Sequence, residues 1–302
     1  MSADLLLRAD QLRSGRVPFV LATVVRAERP TSAKAGDRAL VLADGTLEGF
    51  VGGTCAESTV RLQGLRLLDS GESTLLRITP DGDAEPSTVE GLVTVGNPCL
   101  SGGTLEIFLE AMLPAVLVHV FGDAPVARAL AAVGTAMGYD MRASTDPAGA
   151  IPPDTAAVVV ASHGRDEEAV LTAALRAEVP YVALVASRRR GAAVLAGLDV
   201  TAEQRGRVHS PAGLDIGART PGEVATSVLA ELVAGRPRLT GPRVPRALPV
   251  AEVIEAVDPV CGMTVAIAPA SLRLEHAGHT WYFCGTGCQH AFAADPASYT
   301  AP

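Results

Sequence analysis

Val116-Leu-Val-His-Val-Phe121 is a short apolar run followed by a helical pattern at 125–138, and this order decides the fold. The same order recurs, with an apolar run at 156–161 before a helical pattern at 166–177 and a third run at 181–185. Short buried strands that alternate with helices are typical of a parallel sheet with right-handed crossovers. The sequence therefore predicts a doubly wound α/β domain, Rossmann-like in class, over residues 115–234.

The flanking regions have a different texture and divide the chain further. Residues 1–114 predict an α+β domain, with an amphipathic start, a β-branched run at 19–25 and further strand-like pieces broken by Asp-Gly and Gly-Gly pairs. Residues 235–254 predict an exposed linker, since 235–246 contain three prolines and four arginines without apolar periodicity. Residues 255–302 predict a compact module too small to hold a large core, for which a bound metal is a common remedy.

Composition excludes several classes of partner. The net charge is −8 and only 4% of residues are aromatic, which disfavours nucleic acid and anionic lipid surfaces. The beginning of the sequence carries no basic region followed by an apolar segment, so we expect a cytoplasmic protein that does not enter a membrane. Five cysteines in a reducing compartment indicate thiol or metal chemistry rather than a disulfide framework.

Two loops of the first domain combine glycine pairs with a cysteine. Glycines allow close backbone approach to an anion, and a following helix favours negative charge or a thiolate at its N-terminus. We expect residues 57–69 to form that helix. The alternative is two tight turns with buried cysteines that only fill space. The candidate binding residues are Gly52, Gly53, Cys55 and Glu57 in one loop and Cys99, Gly102 and Gly103 in the other.

These loops resemble the XdhC and CoxI family, through Gly52-Gly-Thr-Cys-Ala-Glu57 and Cys99-Leu-Ser-Gly-Gly-Thr-Leu-Glu-Ile-Phe-Leu109. The resemblance continues through 162–166, 184–189 and 210–221 and covers most of 19–232. It implies an accessory factor that binds the molybdenum cofactor and helps load it, suitably sulfurated, into a relative of xanthine or carbon monoxide dehydrogenase. It implies an apo-enzyme client, a sulfurtransferase as a second partner and a homodimer, with no substrate turned over by the factor itself.

The second domain lacks a complete dinucleotide fingerprint. In Phe121-Gly-Asp-Ala-Pro-Val-Ala127 the second glycine of a G-x-G-x-x-G loop is replaced by Ala124, and Asp123 adds negative charge where phosphate would bind. We therefore do not expect NAD(P). The strand ends could still hold a phosphate-bearing pterin, and the residues there are His163, Ser187, Arg188 and Arg189. The alternative is that His163 caps a turn and the arginines are solvated.

The C-terminal module carries a metal-ligand pattern. Cys284 and Cys288 lie four positions apart, and Cys261 comes from a separate loop, so three thiolates could converge on zinc or copper(I). His279, His276 or His290 could supply a fourth ligand, with His279 the first candidate, and Met263 could supply a thioether. The segment resembles the YHS domain family, through Asp258-Pro-Val-Cys-Gly-Met263, Tyr282-Phe-Cys284 and Cys288. The alternative is a metal-free core in which the cysteines pack.

The leading interpretation is a cofactor-insertion chaperone whose C-terminal module presents copper(I). The other interpretations are an NAD(P)-dependent or thiol redox oxidoreductase and a protein that stores or senses metal. Under the leading interpretation Cys55 is the first candidate to contact the cofactor or carry sulfur, and Cys99 is the second.

Overall fold

The computed structural model describes residues 2–80, 87–97, 103–235 and 253–300. The chain forms two compact units, one of which combines the residues up to Pro114 with the C-terminal residues from Val253 on. The other unit begins at Ala115 and includes the described chain up to Gly235. The C-terminal module therefore belongs to the same unit as the N-terminal domain, although the whole second unit separates them in sequence.

The first unit is built on a mixed sheet of seven strands. Their order is β3-β2-β1-β7-β4-β6-β5, and all neighbours are antiparallel except β4 and β6. The long central strands β1 and β7 pair along their length, with one irregularity between Val24 and Arg26. The strands are β1 (Phe19–Glu28), β2 (Arg38–Leu42), β3 (Leu47–Gly49), β4 (Thr74–Thr79), β5 (Ser87–Val89), β6 (Leu92–Gly96) and β7 (Thr104–Met112).

Two helices cover this sheet. Helix α1 (Ser2–Ser14) packs Ala9 and Leu12 against Phe19 and Leu40. Helix α2 (Thr54–Ser70) buries an almost continuous apolar face on the sheet and ends at Gly71, whose left-handed conformation (φ 76°) is accessible to glycine. The sheet and α2 thus form the core that holds the Gly-Gly-Thr-Cys loop at the start of α2.

The second unit is a five-stranded parallel sheet with helices on its faces. Its strands lie in the order β9-β8-β10-β11-β12, which is 2-1-3-4-5 counted within the unit. This is a common order of doubly wound sheets, and it confirms the predicted fold class. The strands are β8 (Leu117–Phe121), β9 (Asp140–Ser144), β10 (Thr155–Val160), β11 (Tyr181–Leu184) and β12 (Val208–His209), and the helices are α3 (Pro125–Ala136), α4 (Glu167–Arg176), α5 (Arg188–Ala196), α6 (Ala202–Gly206) and α7 (Pro221–Ala234).

The C-terminal module contains two hairpins and a helix. They are formed by β13 (Glu255–Val257) with β14 (Thr264–Ala266), by β15 (Leu272–His276) with β16 (His279–Phe283), and by α8 (Thr286–Ala294), which a 3₁₀ turn (Pro296–Ser298) follows. Phe292 is fully buried, and the rings of Trp281, Phe283 and Tyr299 surround it. Phe292 is thus the centre of the small aromatic core of this module.

Helices α2 and α5 differ from the sequence predictions. Helix α2 begins at Thr54, three residues before the predicted start, because Gly53 already has the extended backbone (ψ 169°) of an N-cap. Helix α5 was not predicted at all. The predicted linker lies, except for its ends, outside the described residues. Within the described ranges, no helix combines the length and apolar character that crossing a membrane requires.

Candidate functional site

The three cysteines of the C-terminal module converge. Cys261 follows the β13 strand in a tight turn, Cys284 follows β16, and Cys288 lies in the first turn of α8. The Sγ atoms of Cys261 and Cys284 are 3.5 Å apart, and those of Cys284 and Cys288 are 3.7 Å apart. Among the described residues, the ligand atoms of these cysteines and of Asp258 lie within 4.8 Å of one another. We call Cys261, Cys284 and Cys288 the thiol cluster.

Asp258 holds the two cysteine loops together. Its side chain is fully buried, its Oδ2 accepts from the Cys284 backbone N–H at 2.8 Å, and its Oδ1 accepts from that of Val260 at 2.9 Å. Its backbone N–H also donates to the Met263 carbonyl at 2.8 Å, which closes the turn that carries Cys261. A buried carboxylate is stable in such a place because charge-assisted hydrogen bonds satisfy both oxygens.

Proton affinities within the thiol cluster diverge. The pKa of Cys261 is held below its ordinary value, chiefly by its hydrogen bond with Cys284 and against the effect of burial. The pKa of Cys284 is raised by hydrogen bonds with Cys261 and Cys55 and by burial. Burial, with the charge of Asp258, raises the pKa of Cys288 to about 12. A thiophilic cation that binds such a cluster displaces the protons of its thiols.

The geometry of the thiol cluster fits a tetrahedral thiolate site. A zinc–sulfur bond of about 2.3 Å places two sulfurs of a tetrahedron about 3.8 Å apart. The observed separations of 3.5 and 3.7 Å are close to that value. His279 does not reach the cluster, because it is exposed at the hairpin turn, opposite the end of β16 that leads to Cys284, and its ring contacts Trp281 at 4.8 Å.

The first-domain loop approaches the same place. Gly52 has a φ of 139° and packs beside Leu105 of β7, whereas Gly53 is exposed with open space around it. Cys55 is half-buried in the first turn of α2 and packs against the thiol cluster. Glu57 follows two positions later on α2. Burial raises its pKa, and the positive charge of Arg61 offsets part of this increase. The loop thus offers a thiol at a helix N-terminus, as its sequence predicted.

The second glycine and cysteine loop is only partly described. Cys99 and Gly102 lie outside the described residues, so their predicted role stays a prediction. Gly103 directly precedes strand β7, and a side chain there would contact the backbone carbonyls of Pro30 and of Glu28, the latter at 2.6 Å. That close approach explains a glycine at position 103 by packing alone.

In the second unit, adjacent parallel strands bring the predicted cofactor residues to one edge. His163 follows β10 and Ser187 follows β11, and these strands pair in register. The crevice of a sheet with this order lies where neighbouring connections leave in opposite directions, here between β8 and β10. His163 is exposed in that loop with a φ of 55°, a left-handed conformation that few side chains adopt.

A residue that the sequence analysis did not select joins the two loops. Glu167 is buried and accepts from Arg190 at 2.7 and 2.8 Å, and it also accepts from the Gly164 backbone N–H at 2.8 Å. Arg190 belongs to the loop and helix after β11, whereas Gly164 and Glu167 follow β10. The hydrogen bond with Glu167 is also the main cause that raises the pKa of Arg190. The buried pair therefore fixes the loop of His163 relative to the start of α5.

Ser187, Arg188 and Arg189 have distinct positions. The Ser187 side chain caps α5 by accepting from the Arg190 backbone N–H at 3.4 Å, whereas Arg188 and Arg189 are exposed in the first turn. Cations at a helix N-terminus oppose the helix dipole, so a bound anion would relieve this arrangement. At the neighbouring turn, Asp123 pairs with Arg165 just before α3, whose N1 residue is Pro125.

The fold and these sites define a class of protein: a doubly wound α/β unit joined to a sheet unit that carries a thiol cluster. Comparison with protein families agrees. Residues 12–79 match the model of the XdhC and CoxI family, residues 118–232 match the XdhC Rossmann domain, and residues 256–302 match the YHS domain. The first two together span more than half of the chain. The chain belongs to the XdhC and CoxI family and carries a YHS domain.

Similar proteins are known in bacteria. The uncharacterized protein YqeB of Escherichia coli K12 is 27% identical over 76% of this chain and 46% of its own length. The molybdenum cofactor insertion chaperone PaoD of the same organism is 26% identical over 75% of this chain and 86% of its own length. A probable xanthine dehydrogenase component of Bacillus subtilis is 32% identical over 29% of this chain and 25% of its own length. The chain thus spans about half of YqeB but most of PaoD.

A solved structure of a xanthine dehydrogenase from Bacillus halodurans covers 78% of this chain and 98% of its own. Its sequence is 17% identical to this chain, and the TM-score of the two structures is 0.37.

Proposed function

We propose that this protein binds the molybdenum cofactor and assists its insertion into an apo molybdenum hydroxylase, such as a xanthine or carbon monoxide dehydrogenase. The observation that carries the proposal is the pair of family matches at 12–79 and 118–232, together with the similarity to most of the length of an insertion chaperone. The protein acts as a carrier, without turning over a substrate. A homodimer is the expected state, and a sulfurtransferase is the expected source of sulfur.

The second unit supplies the features that favour a phosphate-bearing pterin. Its crevice is bordered by the His163 loop, and the exposed Arg188 and Arg189 stand at a helix start where an anion is favoured. An arginine guanidinium can bond two phosphate oxygens at once. The pairing of Asp123 with Arg165 before α3 places a carboxylate at the turn where a dinucleotide would need backbone N–H groups, which argues against an NAD(P)-dependent reaction.

The C-terminal module adds metal handling to this role. Three thiolates suit zinc or copper(I), both of which are selected by soft ligands. Copper(I) held there would connect the module with a client of the carbon monoxide dehydrogenase type. Metal titration decides this part: a thiol cluster that binds no copper(I), or binds it equally after Cys261 is replaced by serine, contradicts delivery of copper.

Cofactor retention tests the main proposal. The protein and its variants are purified from cells that make molybdenum cofactor, and pterin and molybdenum are counted per chain. We expect the double variant Arg188→Ala, Arg189→Ala to retain at least about tenfold less pterin, because each charge-assisted hydrogen bond contributes about 1.5–3 kcal/mol. Arg176→Ala is the control, since Arg176 lies at the end of α4 and pairs only with the exposed Asp199 among the contacts described. Equal retention in both variants contradicts a site at α5.

The predicted role of Cys55 is tested in the same way. Cys55→Ser is expected to lower pterin retention if the thiol contacts the cofactor or carries its sulfur. The protein's far-UV circular dichroism must stay unchanged for that result to count. Stoichiometric pterin in the Cys55→Ser variant contradicts direct contact.

A further inference from the structure

Cys55 reaches the thiol cluster from another domain. Its Sγ would lie 3.1 Å from a β-carbon at Gly285, the residue between Cys284 and the start of α8. Cys55 packs against the buried group formed by Met263, Val265 and Cys284. Its thiol is also within hydrogen-bonding reach of the Cys284 thiol. Four sulfurs from two sequence-distant motifs therefore meet at one place.

The C-terminal module packs closely against the sheet and helix α2 of the N-terminal domain. Ala266 of β14 is 2% exposed and belongs to the core of the seven-stranded sheet unit. Glu255 accepts from Arg66 of α2 through both carboxylate oxygens, at 2.7 and 2.9 Å. A β-carbon at Gly45 would come within 2.5 Å of the Ala268 methyl group. The module thus docks on α2 through apolar contacts, an ion pair and a glycine that leaves room for it.

The remaining candidates for a fourth ligand are already engaged or too far away. Asp258 offers an oxygen within 4.8 Å of the cluster sulfurs, but both its carboxylate oxygens already accept backbone N–H groups, at 2.8 and 2.9 Å, so as a ligand it would share an oxygen between the metal and a buried donor. His279 is on the far end of its hairpin. The thiol of Cys55, in contrast, already packs against the thiol cluster.

Charge also favours a fourth thiolate. Cys55 lies in the first turn of α2 and Cys288 in the first turn of α8, and neither helix has a side-chain cap at its N-terminus. Four thiolates around a divalent ion carry a net charge of about −2, and the positive ends of two helices offset part of it. A module that supplied three thiolates alone would have only one such helix.

We propose that Cys55, Cys261, Cys284 and Cys288 together hold one zinc ion, as a four-thiolate site shared by the N-terminal domain and the C-terminal module. The ion forms a bond with each sulfur, every thiol releases its proton to solvent, and no electron is transferred. The site joins the two motifs as a closed structural centre of the kind that thiolate sets form around zinc. This proposal gives Cys55 and the thiol cluster a structural role, as the alternative to cofactor contact by Cys55 and to delivery of copper(I). It does not depend on cofactor loading, because metal binding is measured on protein from cells that make no molybdenum cofactor.

The first test counts sulfurs around zinc in the intact chain. Zinc-loaded protein is analysed by X-ray absorption at the zinc edge, with zinc per chain measured by elemental analysis. We expect one zinc and four sulfurs at about 2.3 Å. A shell of three sulfurs with one nitrogen or oxygen, or a shell of three sulfurs around copper(I), overturns the proposal without touching the role of the protein in cofactor insertion.

The second test compares variants of the full chain. Cys55→Ser is expected to lower zinc affinity by more than about 100-fold, because even the loss of a residue that only supports a ligand costs 10–100-fold. Cys288→Ser should have a similar effect, and Thr54→Ala, an exposed neighbour in the same turn, should have little effect. If Cys55→Ser binds zinc as tightly as the wild type, the proposal is wrong. Should that variant fail to fold, the sulfur count in the wild type decides.

Discussion

Replacing Arg190 with alanine should destabilise the second unit selectively. Arg190 makes two hydrogen bonds, at 2.7 and 2.8 Å, with a Glu167 side chain that is 1% exposed, while its own side chain is 35% exposed. Removing one partner of a buried pair costs about 3–5 kcal/mol because a buried charge is left unpaired. Solvent screening on the arginine side reduces this figure. The hydrogen bond from Gly164 remains, so we expect a loss of about 2–3 kcal/mol.

Two measurements report the change. Urea unfolding followed by circular dichroism gives the free energy of unfolding, and hydrogen exchange reports the local opening of the loop at 162–166. Arg189→Ala is the matched control, because Arg189 is an exposed arginine in the same helical turn, and it should change stability by less than about 0.5 kcal/mol. The combination of Arg190→Ala with Glu167→Gln should cost clearly less than the sum of the two single changes. Equal stability of the two arginine variants would show that the pair of Arg190 with Glu167 does not stabilise the second unit.

Three further outcomes follow from buried polar groups and strained backbone. Asp258→Asn should cost about 2–3 kcal/mol, because asparagine has one acceptor oxygen and its NH2 group would face the second backbone N–H donor; thermal unfolding of the full chain measures the loss. For Glu231, burial would raise the pKa, but hydrogen bonds from Tyr181 and from backbone and histidine donors outweigh it and hold the pKa below 4.5. The stability that Glu231 contributes is therefore complete above its pKa in the unfolded chain and is lost as pH falls through its pKa in the folded protein. The stability of the Glu231→Gln variant should thus fall less in acid than that of the wild type. Urea midpoints of both proteins at about pH 6 and about pH 3 test this. Gly122→Ala should destabilise the protein strongly, because the φ of Gly122 is 122° and a side chain there would clash with the Ala161 carbonyl. Gly138→Ala is the control, since Gly138 has open space around it and the change should cost only the strain of a φ of 82°. Equal melting temperatures of the two variants would contradict this prediction.

Local sequence signals identified most elements but only part of the candidate metal site. The apolar runs and helical patterns of the second unit predict its parallel sheet, because the strands β8, β10 and β11 are buried on both faces and form continuous apolar segments. The spacing of Cys284 and Cys288 likewise predicts two thiols that can share a metal, and their sulfurs lie 3.7 Å apart. Cys55, in contrast, meets these residues through docking of domains about 200 positions apart, and no local pattern encodes that contact.

The choice among similar residues was also beyond the sequence. Three arginines follow β11, and the phase of a helix that was not predicted decides that Arg190 turns inward while Arg188 and Arg189 remain exposed. His279 was selected as a ligand by residue type, but it lies at the hairpin turn, and the full length of β16 separates it from Cys284. Side-chain direction within a turn or hairpin depends on tertiary register, which residue type and spacing do not specify.

The docking of the last fifty or so residues on the first hundred has a consequence for synthesis. Arg66 and Glu255 are 189 positions apart, so the N-terminal domain emerges from the ribosome long before the segment that covers the start of α2 exists. At typical elongation rates of about 5–20 residues per second this interval lasts roughly ten seconds or more. During that time the α2 surface is open and the second unit can fold by itself. Completion of the first unit therefore waits until the segment around Glu255 has left the ribosome, and until then the surface of α2 stays accessible on the nascent chain.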